Sequence, residues 1–144
     1  MLALLAAAIL YVHPATVDHV IDGDTIAVTI PDWPLPRRRT AIRIYGLDTP
    51  EHMRPPAQAA CEVALGVAAM DFARTLVKPG QVVTYSWSGH REKYGRELGS
   101  VTLPDGRDWA TTMIAAGLGR AYGQDGNLHK ATWCADPAPA EPPH

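Results

Sequence analysis

Two breaks, Pro55-Pro56 and Pro79-Gly80, bracket a stretch that can only be read as a helix. From about Ala57 to Lys78 the apolar residues Cys61, Leu65, Ala69, Phe72 and Leu76 recur at spacings of three or four, so they fall on one core-facing stripe. A helix with such a stripe needs something to cover, and the flanking sequence supplies short strands. Val17 to Ile30 is rich in Val, Ile and Thr around an Asp-Gly pair and reads as strand, turn and strand, or as one long bulged strand. Ala41 to Leu47, Gln81 to Trp87 and Glu97 to Leu103 read as further strands, the last closed by the turn Asp105-Gly106. Asp108 is a good N-cap for a second helix, Trp109 to Ala116, ended by Gly117. With 144 residues there is one core and not two. About five strands with a long helix inserted after the third and another helix near the end describe a mainly β, α+β fold, a small OB-type barrel carrying helices.

The ends differ from this middle. Met1 to Val12 is almost entirely Ala, Leu, Ile and Val, too short to cross a bilayer, which takes roughly 20 apolar residues. It resembles the apolar part of an export signal without the positive residues that precede one, and an apolar first strand or helix is the other reading. The organisation expected is therefore an apolar segment over 1–14, one domain over 15–134, and a disordered Pro-rich tail over 135–144. A secreted or periplasmic location follows, with membrane contact only if the first segment is an uncleaved anchor. The two cysteines, Cys61 and Cys134, are consistent with one disulfide in an exported chain or with two buried thiols.

Charge is unevenly distributed. Residues 1–36 hold four acids and no Lys or Arg, residues 37–96 hold ten bases against five acids, and residues 97–144 hold three bases against six acids. The net charge of −2 thus hides a basic middle, with Arg37, Arg38, Arg39 and Arg43 in one cluster and Arg91, Lys93 and Arg96 in another. These could converge on one anionic ligand, or the Pro-flanked Arg37 to Arg39 could be a solvated loop.

Three short segments carry chemistry. In Val20-Ile21-Asp22-Gly23-Asp24-Thr25 two carboxylates flank a glycine, either as a plain hairpin turn or as a bulge that re-aims one acid. In Ile42-Arg43-Ile44-Tyr45-Gly46-Leu47-Asp48-Thr49-Pro50-Glu51 an arginine leaves an apolar strand, which is costly without an anionic partner, and the strand runs into an acidic turn. Pro50 keeps Thr49 extended, so its carbonyl can turn outward as an oxygen ligand; alternatively Asp48 and Glu51 form a capping box. The third, Glu92-Lys93-Tyr94-Gly95-Arg96, is a basic turn or a hairpin loop with a solvated Arg. Together these supply hard oxygen donors, a spare carboxylate and two arginines, the set for metal-assisted attack on phosphate. Asp24, Asp48 and the Thr49 carbonyl suit calcium or magnesium better than zinc, Glu51 could serve as general base, and Arg43 and Arg96 could neutralise developing charge. The six histidines show no metal-ligand spacing and read as surface or loop residues.

The same three segments, in this order around a helix, resemble the staphylococcal nuclease (thermonuclease) family over roughly Thr16 to Tyr122. The resemblance implies an OB-fold barrel with about three helices. It also implies a calcium-dependent phosphodiesterase that cuts DNA and RNA at the 5′ O–P bond and leaves 3′-phosphates. On it, Asp24 and Asp48 would hold Ca2+ by side chain and Thr49 by carbonyl, with Asp22 as a supporting acid. Glu51 would orient or deprotonate the water, and Arg43 and Arg96 would hold the scissile phosphate, Arg96 also assisting departure of the 5′ oxygen. Lys93, Tyr94 and Tyr122 would contact the nucleic acid, a base stacking on either ring. A Cys before the long helix and a closing Trp133-Cys134 are similar to secreted bacterial members, which implies the Cys61–Cys134 disulfide and export. The chain departs from the family type in its short loop, His52 to Pro56, and in Gly123-Gln124-Asp125-Gly126 after Tyr122. The partner implied is DNA or RNA acting on a monomer with no obligate protein partner. A noncatalytic OB module that binds nucleic acid or protein is the alternative, disfavoured because Asp24, Asp48, Glu51, Arg43 and Arg96 are all present and such a charged cluster costs a scaffold stability.

Overall fold

In the computed structural model, which describes residues 11–53, 57, 60–123 and 133–134, the strands expected from the Val/Ile/Thr-rich runs close into a barrel. Strands β1 (Val12–Asp22), β2 (Thr25–Thr29), β3 (Arg39–Ile44), β5 (Val82–Arg91) and β6 (Glu97–Thr102) join in the order β1-β2-β3-β6-β5, all pairs antiparallel except β3 with β6. The side chains that alternate inward, among them Val17, Ile26, Val28, Ile42, Ile44, Val83 and Val101, form its core. Register shifts in β1 after Val17 and after Val20 reset that alternation, so that Val20 also points inward and the strand curves toward the β1–β2 turn. This is the OB-type α+β barrel, with three helices among the described residues: α1 (Leu35–Arg38), α2 (Ala60–Leu76) and α3 (Trp109–Ala115).

A second, two-stranded pairing joins β4 (Leu47–Asp48) to β7 (Arg120–Ala121). It brings the chain after α3 back beside the acidic turn, where the Tyr122 N–H donates to the Gly46 carbonyl at 2.9 Å. Asp108 caps α3, its carboxylate accepting the Thr111 N–H at 2.9 Å.

The face of α2 matches the expected stripe in part: Ala69 is buried and Phe72 and Leu76 pack against the core. Its buried residues are Glu62, Gly66, Ala69 and Ala73, whereas Cys61 is exposed and Leu65, Phe72 and Leu76 are only partly buried. The helix approaches β1 along its smallest side chains, and the larger apolar ones straddle that line. Being off this face, Cys61 is free to form a disulfide with Cys134, at a Cα separation of 6.2 Å. Val12 to Pro14, read on sequence as part of the apolar segment, pair with Ser86 to Thr84 of β5. The rest of that segment, residues 1–10, and the Pro-rich tail lie outside the described residues. No helix among the described residues is long and apolar enough to cross a membrane.

Candidate active site

Gly23 and Asp24 form the turn between β1 and β2, and a register shift lies just before it between Val20 and Asp22, so the hairpin and the bulge are both present. Asp22 accepts the Asp24 N–H at 3.0 Å. The Asp24 carboxylate is directed down into the protein: Oδ1 accepts the Thr25 hydroxyl at 3.0 Å and Oδ2 accepts the Thr49 N–H at 3.2 Å. A Cβ on Gly23 would stand 2.9 Å from the Thr49 hydroxyl, so only glycine lets the two turns approach this closely. The indole N–H of the fully buried Trp109 donates to the Gly23 carbonyl at 2.9 Å and fixes the turn from beneath.

Arg43 has the anionic partner its strand position demands. Its Nη2 lies 3.2 Å from Asp24 Oδ2, while Nη1 donates to the carbonyls of Ile44 and Leu47 at 2.9 and 2.6 Å. The arginine thus ties the end of β3 to the turn that follows it. Asp48 and Thr49 are buried beneath the cleft, 2% and 1% exposed. Residues 49–53 are not helical, so Asp48 does not stand at the start of a helix as the capping-box alternative requires.

Glu51 is placed by α2. Its N–H donates to Glu62 Oε2 at 3.0 Å, and a Cβ on Gly66 would fall 2.3 Å from the Glu51 carbonyl carbon. A carboxylate and a missing side chain on the buried face of one helix therefore set the backbone of the candidate base. The following His52 is half-buried, with its Nδ1 shielded from solvent, and is less of a surface residue than expected.

The basic turn closes the other wall. Gly95, at φ 81°, donates its N–H to the Glu92 carbonyl at 2.9 Å and closes the hairpin. Glu92 takes Arg96 in a two-pronged pair, Nε to Oε1 at 3.0 Å and Nη2 to Oε2 at 3.1 Å, and Arg96 Nη1 reaches the Thr25 hydroxyl at 3.4 Å. The exposed Tyr94 ring lies under both Lys93 Nζ, 5.0 Å from its centroid, and Arg96 Cζ, at 5.7 Å.

These walls enclose a cleft of about 930 Å3 lined by Asp22, Asp24, Arg43, Glu51, Lys93, Tyr94, Arg96 and Tyr122, eight of the residues singled out on sequence. The buried Asp48 and Thr49 are not among the lining residues, and the disulfide is not part of the lining. Of the first basic cluster only Arg43 enters; Arg37 pairs elsewhere. Tyr45 and Glu92 line the cleft without having been assigned a role, and Glu62, Gly66 and Trp109 act from behind it. Signals for two of these existed: an acid four residues before Arg96 across a glycine turn, and a glutamate at the small-residue spacing of the helix.

The electrostatics are those of a site with excess negative charge. Burial, and then the neighbouring Asp24 carboxylate, push the Asp22 carboxyl up to about 8. Burial also acts against ionised Asp24, but the Arg43 guanidinium and hydrogen bonds from Asp22, Thr25 and Thr49 hold it below the usual carboxylate range. The donors are oxygens, and among the described residues no Cys or His lines the cleft. A hard divalent cation that keeps much of its water fits this set better than zinc does. Among the described residues no three acidic, His or Cys side chains are gathered into a ready-made cage.

A model of the staphylococcal nuclease homologue family matches residues 41–135. The chain is 33% identical over 113 residues to endonuclease YhcR of Bacillus subtilis strain 168, which covers 76% of this chain and 9% of that protein. It is 33% identical over 105 residues to an uncharacterized endonuclease of Escherichia coli O157:H7, covering 73% of this chain and 58% of the relative. An uncharacterized lipoprotein of Mycoplasma genitalium, MG186, is 35% identical over 89 residues, 60% of this chain and 34% of its own. The chain thus spans less than two thirds of the length of each of these relatives.

Proposed function

This chain belongs to the staphylococcal nuclease family, and from that premise we propose that it is a calcium-dependent nuclease that hydrolyses phosphodiester bonds of DNA and RNA and leaves 3′-phosphates. The observation that carries the reading is the convergence of Arg43, Arg96, Asp22, Asp24 and Glu51 on one cleft. Asp24, Asp48 and the Thr49 carbonyl are the groups that would hold the ion, with Asp22 beside them. Bound calcium supplies positive charge that neutralises the phosphate and makes water easier to deprotonate.

The chain's own groups do the rest. Glu51 orients the attacking water and accepts its proton as the oxygen bonds to phosphorus. Arg43 and Arg96 face the nonbridging oxygens, where negative charge grows as the phosphorus becomes five-coordinate. The P–O5′ bond then breaks and Arg96 stabilises the departing oxygen, giving a 3′-phosphate and a 5′-hydroxyl once that oxygen is protonated. Lys93 contacts a neighbouring phosphate, and Tyr94 or Tyr122 stacks a base. The enzyme acts as a monomer without an obligate protein partner. The proposed location is outside the cytoplasm, supported by the Cys61–Cys134 disulfide and the similarity to a lipoprotein. The proposed organisation keeps one domain over 15–134 between the apolar segment and the tail.

Purified protein is expected to digest single-stranded DNA with calcium and to stop when EDTA is added. Glu51→Gln should lower kcat by about 10²–10⁴ while the thermal melt stays cooperative. Undiminished cleavage in EDTA, or by the variant, sinks the mechanism.

A further inference from the structure

Two arginines of the basic middle gather away from the cleft. Arg37, on α1, and Arg91, at the end of β5, both bond the same oxygen of Glu97: Arg37 Nη2 lies 3.3 Å and Arg91 Nε 3.2 Å from Oε1. The Glu97 side chain is 1% exposed, whereas those of the two arginines are 50% and 47% exposed. Arg37 also lies over the Trp33 ring, Cζ 5.3 Å from its centroid, and Trp33 packs edge-on against the buried Tyr85. Among the described residues, Nε and Nη1 of Arg37 and both Nη groups of Arg91 meet no protein acceptor.

A buried carboxylate that serves only the fold ordinarily has both oxygens satisfied. This one commits a single oxygen to two cations, leaves Oε2 without a partner among the described residues, and keeps the outer edges of both guanidiniums in solvent. Two charges on one buried anion leave a net positive group. Because both lie against the same oxygen atom, the two guanidiniums are held close together, an arrangement that a single tetrahedral anion can bridge. The site neighbours the cleft through one hairpin: Arg91 pairs with Glu97, and the next rung holds Glu92 and Arg96. Successive residues of a strand face opposite sides, so a polynucleotide leaving the cleft past Arg96 reaches Arg91 by crossing the hairpin.

We propose that the Arg37–Glu97–Arg91 triad is a second phosphate site, holding a phosphodiester of the substrate strand outside the one being cut. This rests on the nuclease reading above. Short substrates end before the site; longer ones fill it.

The test uses fluorescein-labelled oligothymidylates of three and twelve nucleotides, cleaved with calcium by the whole chain. Arg37→Ala should raise KM for the twelve-mer by about five- to tenfold, with kcat and the trimer's KM unchanged. The triple change Arg37→Gln, Arg91→Gln, Glu97→Gln removes the clamp without stranding a buried charge. It should show the same selectivity and flatten the dependence of log KM on log salt by about 0.7, the value for one phosphate contact to a single strand. A twelve-mer KM and salt slope equal to the parent's, or an equal rise on both lengths, overturns the second site while leaving the nuclease intact. A parent that cuts neither length overturns the nuclease reading and the site with it.

Discussion

Arg43 stands in the cleft with its side chain 12% exposed, held by two backbone carbonyls and by the buried Asp24, whose other bonds run to Thr25 and Thr49. Arg96 faces it 32% exposed, held mainly by Glu92 four residues earlier in the same hairpin. One wall of the site is therefore part of the barrel's interior bonding, and the other is a local device mounted on its rim. The same charge in the same cleft carries different obligations on the two sides. Where the fold needs the arginine, function and stability are lost together; where only the hairpin needs it, they separate.

The largest effects should expose that difference. Arg43→Ala and Arg96→Ala should each lower kcat by about 10²–10³, the scale for losing a group that stabilises transition-state charge. Arg43→Ala also leaves Asp24 buried beside Asp22 without its cation, and should cost about 3–5 kcal/mol in urea denaturation. Arg96→Ala removes a partly exposed pair and should cost no more than about 1 kcal/mol. Equal destabilisation by the two variants would abolish the distinction between the walls.

How far each wall could be read beforehand follows the same division. The Asp-Gly-Asp turn, the arginine leaving β3 and the basic hairpin are local patterns, and the structure brings their side chains into one cleft. What supports them is non-local and was not legible: Trp109 is 86 residues from the Gly23 carbonyl it bonds, and Thr49 is 25 from Asp24. The helix stripe was legible at Ala69, Phe72 and Leu76 but not at Gly66 and Ala73, an error of weighing apolar size where smallness allows close approach. The same error hid Glu62, which lies on that face. The two arginine clusters were open to two readings, convergence on one ligand or a solvated loop at Arg37 to Arg39; they meet twice, Arg43 with Arg96 in the cleft and Arg37 with Arg91 on Glu97. No local pattern distinguishes these pairings, because barrel closure decides them.

A smaller effect should come from behind the barrel-side wall. In Gly66→Ala the new methyl would occupy the space of the Glu51 carbonyl group, so either α2 or the Glu51 loop must shift. Overpacking of this kind costs about 1–3 kcal/mol. The displacement should lower kcat with little change in KM, because Glu51 handles water and not the substrate's binding groups. Glu62→Gln keeps an acceptor for the Glu51 N–H and should be milder than Glu62→Ala. A Gly66→Ala enzyme with normal kcat would show that the helix does not position the base.

The smallest effect belongs to the rim. Burial would raise the Glu92 carboxyl, but its bonds to the Arg96 side chain and backbone prevail and hold it below the ordinary value of 4.5. A carboxyl lowered in the folded state contributes its pairing above the unfolded value and loses it as pH falls through the folded one. The clamp is therefore complete at neutral pH and opens only in acid, below 4.5. Glu92→Gln should imitate that opening at neutral pH. Arg96 would keep its charge, which the Glu92 bonds only reinforce, but would lose the two-pronged bond that orients it. Activity should fall by about three- to tenfold and unfolding free energy by no more than about 1 kcal/mol, as for a surface pair. The Nε–H resonance of Arg96, followed by NMR in the metal-free protein as pH falls into the acid range, should move with a midpoint below 4.5, separate from the change at about 8 that belongs to Asp22. An acid-range midpoint above 4.5, or a stability loss in Glu92→Gln approaching that of Arg43→Ala, would mean that the hairpin wall is as deeply tied to the barrel as the wall opposite.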